Sequence, residues 1–214
     1  MKYSHIFWDW NGTLIDDMDA CIEGINLSLS KRDLPLVTET RYKDIFEFPV
    51  INYYKRLGFN FETDPYDILA HEFIDNYNRL ALSAKLTAGT KDVLSRLARA
   101  GAQQYILSAS EYSMLKCGLS RLDVPDVFSD IIACTDIYAG GKAGLAKVWL
   151  SKNPHIKKAV LIGDTTHDFE VASALGFDCV LFLEGHGKEE HLRETGAPVF
   201  SSLSQILDYL LTKQ

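Results

Sequence analysis

The 214-residue chain lacks any closely spaced pair of cysteines. Its four, Cys21, Cys117, Cys134 and Cys179, stand far apart with no CxxC step and no zinc-finger spacing, which excludes a disulfide-stapled scaffold and a zinc ribbon. They read as buried or free thiols in a reducing compartment. No apolar run approaches the length that spans a bilayer, and the N-terminus has no apolar core of a secretory leader, so a cytoplasmic setting is expected. Cations are outnumbered, 22 Lys and Arg against 29 Asp and Glu, for a net charge of -7. That balance argues against a nucleic-acid or anionic-membrane surface, which needs clustered positive charge. It leaves room for a phosphate ester wherever a divalent cation supplies positive charge locally. Internal repeats and low-complexity tracts are absent as well. What remains is an ordinary globular composition, 47% hydrophobic and 24% charged, in a chain long enough for one domain with an insertion or two small domains.

Five short apolar runs recur along the chain: Ile6 to Trp8, Tyr105 to Leu107, Ile131 to Ala133, Ala159 to Ile162 and Cys179 to Leu183. Their continuous apolarity suits strands covered on both faces. Amphipathic helical patterns lie between them, at Thr90 to Ala100 and at Asp168 to Leu175, with a further one at Leu203 to Leu211. This alternation predicts an α/β fold, a parallel sheet with helices on both sides. Residues 16–85 break the rhythm. They offer no buried strand but three helical stretches, Met18 to Lys31, roughly Glu39 to Leu57, and Asp67 to Ser83, punctuated by Pro35, Pro49 and Pro65. Too long for a loop, they are expected to form an all-helical insertion after the first strand. Residues 1–15 and 86–214 make the core.

In such a sheet, ligands bind at the carboxyl ends of the strands. Asp9 follows the first run, Ser108 the second, and Asp164 the fourth, within Gly163-Asp164-Thr165-Thr166-His167-Asp168. Lys142 stands in Gly140-Gly141-Lys142, expected in the loop after the third strand. A nucleophilic carboxylate, a hydroxyl, an ammonium and an acidic pair on one edge are what metal-assisted phosphoryl transfer requires. Each also has a plainer reading. An Asp at a strand end is commonly a turn or cap residue, Asp168 and Ser108 are both placed to cap helices, and Lys147 rivals Lys142. His167 and His186 read as solvated loop histidines and stay outside the expected site.

Four motifs in this order resemble the haloacid dehalogenase-like superfamily, near its phosphoglycolate phosphatase-like branch with a helical cap. The family's Asp-x-Asp-Gly-Thr-Leu stands here as Asp9-Trp10-Asn11-Gly12-Thr13-Leu14. Its strand ending in Ser or Thr is matched by Tyr105-Ile106-Leu107-Ser108-Ala109-Ser110, its lone Lys by Lys142, and its Gly-Asp-x-x-x-Asp by Gly163-Asp164 with Asp168. The resemblance implies a Rossmann-like core, a magnesium ion, and an aspartyl-phosphate formed on Asp9. It implies that Mg2+ is held by Asp9, the Asn11 carbonyl and Asp164, with Asp168 ordering a bound water, and that Ser108, Ala109 and Lys142 hold the phosphoryl group. Hard oxygen ligands suit that ion, and no Cys or His set for zinc is expected beside it.

The departure is Asn11. In the family's phosphatases a second Asp protonates the leaving oxygen and then activates water, and an amide does neither. General acid–base help is worth about 10²–10⁴ in rate. Its loss weighs most on alkyl phosphates and least on acyl or aryl ones. Two expectations follow. One is a slow or selective magnesium-dependent phosphatase of a small phosphorylated metabolite, with catalytic Asp9, Asn11, Ser108 and Lys142. The alternative is a weakened relative that binds a phosphorylated ligand or a protein partner without efficient turnover.

Overall fold

The chain was described from a computed structural model, which defines residues 1–136 and 141–212. Six parallel strands form the main sheet: β1 (His5–Trp8), β4 (Gln103–Glu111), β5 (Phe128–Cys134), β6 (Ala159–Gly163), β7 (Asp178–Phe182) and β8 (Val199–Phe200). Two short strands outside it, β2 (Ile15–Asp16) and β3 (Lys85–Leu86), pair antiparallel as a separate ribbon. The order in the main sheet is β5-β4-β1-β6-β7-β8. The chain therefore runs outward from β1 in both directions, which makes the carboxyl ends of β4, β1 and β6 a topological switch point.

Side chains alternate across the sheet even where the sequence is apolar throughout. Ile6, Trp8, Ile106, Val160 and Ile162 face one core, while Phe7, Tyr105, Leu107 and Leu161 face the other. The insertion's helices are α1 (Met18–Ser30), α2 (Glu39–Ile45), α3 (Val50–Leu57) and α4 (Tyr66–Leu80). The core's helices follow as α5 (Thr90–Arg99), α6 (Tyr112–Arg121), α7 (Lys142–Lys152), α8 (Thr166–Leu175), α9 (Glu189–Glu194) and α10 (Leu203–Leu211). Val93, Leu94 and Leu97 of α5 pack in the first core with Leu203, Ile206, Leu207 and Leu210 of α10. Ala146 of α7, Val171 and Ala172 of α8 and Leu192 of α9 pack in the second. The expected parallel sheet with helices on both faces is the fold observed.

Helices α1 to α4 occupy the stretch between β2 and β3 and carry a hydrophobic cluster of their own, centred on Ile25, Leu29, Tyr42, Tyr53, Leu57 and Leu69. Two local expectations are corrected. The single helix over 39–57 is two, because Pro49 has no amide hydrogen to donate and stands as the N-cap of α3, while Phe46 leaves α2 in an extended conformation. Lys142 lies not in a loop but at the first position of α7, and Gly140 falls outside the described residues. No helix among the described residues is long and apolar enough to cross a membrane.

Candidate active site

Asp9 leaves β1 with its amide donating to the Ile162 carbonyl at 2.8 Å, so the last sheet bond of β1 is made by the residue that carries the carboxylate. The chain then turns sharply. Gly12 has φ +68, and a Cβ there would sit 2.4 Å from both Asp164 Oδ2 and the His186 ring, so only glycine fits. Gly185 presses on the same carboxylate, with a Cβ there only 2.3 Å from Asp164 Oδ2. Asp164 is wedged between the two turns. Its Oδ1 accepts from the Thr13 hydroxyl at 2.7 Å and its Oδ2 from the His186 amide at 2.7 Å.

Lys142 is buried and joins two acids: its Nζ is 3.0 Å from Asp9 Oδ2 and also donates to Asp168 Oδ1. Asp168 Oδ2 accepts from the Asp164 amide at 3.2 Å and from the Thr165 amide and hydroxyl at 3.0 and 2.7 Å. Asp168 thus caps α8 and anchors Lys142 at once. One carboxylate oxygen from each of Asp9, Asp164 and Asp168 lies within 4.8 Å of the others. Ser108 stays within β4, which continues past it to Glu111 through an irregularity in its pairing with β5. The Ser108 hydroxyl accepts from the Ser110 amide at 3.1 Å, and it is Glu111, not Ser108, that caps α6.

The acids are not equal. Burial drives Asp9 up to about 8, with the Lys142 charge opposing and Asp168 and Asp164 adding to the rise. Burial likewise raises Asp164 to about 6, against the pull of His186. Burial opposes ionisation of Asp168 too, but the Lys142 ammonium and the Thr165 donors hold it below the usual carboxylate range. Three clustered carboxylates, two of them reluctant to ionise, fit a hard divalent cation that would supply the missing positive charge.

Asn11 stands in a second network. Its Nδ2 donates to Asp17 Oδ2 at 2.6 Å and to the Tyr77 hydroxyl at 2.9 Å, and its Oδ1 accepts from the Ser110 hydroxyl. Asp17 also accepts from the Gly12 amide at 2.9 Å and the Tyr77 hydroxyl at 2.7 Å, and pairs with His186 Nε2 at 3.2 Å. Burial alone would neutralise Asp17, yet His186, Asn11 and Tyr77 together take it below its ordinary value. Burial works against the His186 cation as well, but Asp17 reverses this and lifts it to about 9. At neutral pH His186 is therefore an imidazolium whose Nδ1 donates to the Tyr42 hydroxyl at 3.0 Å. An aspartate at position 11 would meet Asp17 at the distance where two carboxylates cannot both be charged. The amide is fitted to its surroundings.

A cavity of about 160 Å³ opens over both networks, lined from the core by Asp9, Asn11, Ser108, Ala109 and Lys142 and from the insertion chiefly by aromatic side chains. A model of the haloacid dehalogenase-like hydrolases matches residues 6–182, a span that holds Asp9, Asp17, Asp164 and Asp168 and every strand of the main sheet but β8 and the first residue of β1. The chain belongs to that family. Solved structures of similar fold include a haloacid dehalogenase-like hydrolase from Streptococcus pneumoniae, 18% identical over 97% of this chain and 98% of that one, with a TM-score of 0.83. A predicted phosphatase from Clostridium acetobutylicum is 20% identical over 99% of each chain, with a TM-score of 0.80. A predicted phosphoglycolate phosphatase from Haemophilus somnus is 16% identical over 98% of each, with a TM-score of 0.77. No curated protein matches the sequence significantly.

In this haloacid dehalogenase-like chain, Asp9, Asn11, Ser108, Ala109 and Lys142 line one cavity, and Asp164 and Asp168 stand beside Asp9. Lys147, the rival to Lys142, lies on the exposed side of α7. Asp17, Tyr77 and Ser110 were not among the expected site residues, and nothing local in the sequence marks them. The reading of His186 as a solvated loop histidine is corrected, since it is buried and paired with Asp17. Beside the site, Asp17, Cys21 and His186 form a second compact group. Burial, then the charges of Asp17 and Asp164, pushes the Cys21 thiol well above its ordinary value, so it is a protonated thiol. His167 instead stacks on Phe48 with ring centroids 4.4 Å apart, outside the main cavity.

Proposed function

We propose that this hydrolase is a magnesium-dependent phosphatase of a small phosphorylated metabolite, with residues 1–15 and 86–214 as the catalytic core and residues 16–85 as a helical cap. The observation that carries the reading is Asp9, bound to Lys142 and flanked by Asp164 and Asp168, at the mouth of a cavity that also takes in Ser108. An ammonium, a hydroxyl and backbone amides on one side and a carboxylate triad on the other suit a dianionic phosphoryl group and a cation. Asp9, Asp164 and the Asn11 carbonyl would hold Mg2+, and Asp168 would act through a bound water. When bound, the ion neutralises charge between the carboxylates and the phosphoryl oxygens.

Asp9 attacks phosphorus and the ester bond breaks, leaving an aspartyl-phosphate that water then hydrolyses. Ser108, the Ala109 amide and Lys142 neutralise the transferring oxygens throughout. Lys142 also keeps Asp9 and Asp168 apart in orientation, since it is bonded to both. Asn11 donates no proton, so the first step relies on positioning and electrostatics. The separated thiols and acidic surface support a cytoplasmic setting. Incubation with Mg2+ and a panel of acyl, aryl and alkyl phosphates should release inorganic phosphate. Release no greater than that of Asp9→Ala would overturn the reading. The same result combined with tight binding of a phosphate ester would favour the second reading that Asn11 motivates, a ligand or partner binder without turnover.

A further inference from the structure

The part of the cavity built by the insertion has a definite chemistry. Tyr42, Phe46, Phe48, Tyr53, Phe73 and Tyr77 stand in its wall, and the charged side chains that line the cavity, Asp9, Glu111, Lys142 and His186, all come from the core. We propose that the substrate is the phosphate monoester of a phenol, with a single ring seated among these six side chains. This rests on the phosphatase reading above and names the leaving group it prefers.

Size is the first support. A sealed apolar cavity of about 150 Å³ holds one benzene molecule, so this one, about 160 Å³ and shared with the phosphoryl group beside Asp9 and Lys142, admits a single ring at most. The wall is the second. Among the described residues no Arg lines the cavity; its cations, Lys142 and His186, are already paired with Asp9, Asp168 and Asp17. A carboxylate or polyol on the leaving group would lose its water and find few partners. An aromatic ring loses little and gains offset-stacked and edge-on contacts.

Asn11 is the third, and it is independent of the wall. With no acid beside the ester oxygen, the leaving group departs as an anion. A phenol ionises near pH 10, as tyrosine does, whereas an unactivated hydroxyl such as bulk water requires about 15.7. In the first step the Asp9 carboxylate forms a bond to phosphorus while the aryl P–O bond breaks, its electron pair staying on the phenolate oxygen. The phenolate takes its proton from solvent. Water oxygen then bonds to phosphorus, the Asp9–phosphorus bond breaks to restore the carboxylate, and the water proton leaves with phosphate or solvent.

The test is steady-state phosphate release by the full-length enzyme with Mg2+, using phenyl phosphate, benzyl phosphate, acetyl phosphate and 2-phosphoglycolate. Phenyl phosphate should exceed 2-phosphoglycolate in kcat/KM by about 10²-fold or more, the scale of the missing acid. Acetyl phosphate, which has a good leaving group but no ring, should show a KM at least about tenfold above that of phenyl phosphate, since it buries far less apolar surface. Benzyl phosphate, with the ring but an alkoxide leaving group, should match phenyl phosphate in KM and fall well below it in kcat. If acetyl phosphate or 2-phosphoglycolate is turned over as well as phenyl phosphate, at equal or lower KM, the aryl assignment fails while the phosphatase reading stands. If none of the four exceeds the Asp9→Ala enzyme, both fail.

Discussion

At position 11 the amide is held by three partners, and its contact to Asp17 Oδ2 is 2.6 Å. Asn11→Asp would convert that contact into a carboxylate pair sharing one proton, with the new acid raised above its unfolded value. A raised carboxyl costs stability once pH passes the unfolded pKa, so the variant's melting temperature should fall relative to wild type between pH 5 and pH 8. The same proton would sit beside the ester oxygen, and turnover of alkyl phosphates should rise by about 10²–10⁴. Equal melting curves at both pH values, with no alkyl gain, would contradict this picture of the network. Lys142→Ala leaves the buried Asp168 and the partly buried Asp9 without their shared cation. It should cost about 3–5 kcal/mol in urea unfolding, and a loss below about 1 kcal/mol would show that the pair is not the anchor described. Asp9, Ser108, Lys142, Asp164 and Asp168 were legible in the sequence because each follows an apolar run or stands in the first turn of the helix beyond one. Asp17 and His186 were not, since 169 positions separate them and their meaning lies in the 3.2 Å between them.

At the scale of elements, the strands announced themselves through continuous apolar runs, whereas β8 has only two residues and no such run. The break between α2 and α3 was written in Pro49, but the helical periodicity on either side masked it. Asp17 just before α1 and Tyr42 of α2 meet His186 in the loop after β7, and Tyr77 of α4 donates to Asp17, so one buried charge pair ties the insertion to the core. The His186 pKa of about 9 lies above the ordinary 6.5, so the stability it contributes is complete below pH 6.5 and is lost as pH rises through 9. The shift corresponds to about 3 kcal/mol. His186→Gln should therefore lower the melting temperature strongly at pH 7, and the gap from wild type should shrink at pH 10. A gap that is constant or grows with pH would rule out a charged His186. Asp17 acts in the other direction. Its depressed pKa gives stability present above the ordinary carboxylate value and lost as pH falls through the depressed one.

For the molecule as a whole, an acidic chain of net charge -7 gathers at its candidate site two acids, Asp9 and Asp164, that the fold itself makes hard to ionise. A divalent cation should relieve that strain and so bind the native state. At a hundred times its Kd it would add about 2.7 kcal/mol, or roughly 5–10 °C in melting temperature for a chain of this length. Asp9 at about 8 and Asp164 at about 6 retain protons that the cation must displace, so the Mg2+ shift should be larger at pH 8 than at pH 6. No shift at either pH, or a larger one at pH 6, would remove magnesium from the account. The claim on which the rest depends is that Asp9 takes the phosphoryl group. Rapid acid quench of the Mg2+-loaded enzyme during turnover of phenyl phosphate, followed by mass spectrometry of its peptides, reads this directly. One phosphoryl group is expected on the peptide bearing Asp9, appearing before free phosphate accumulates. Phosphate release with no such adduct, or an adduct that persists in Asp9→Ala, would contradict it.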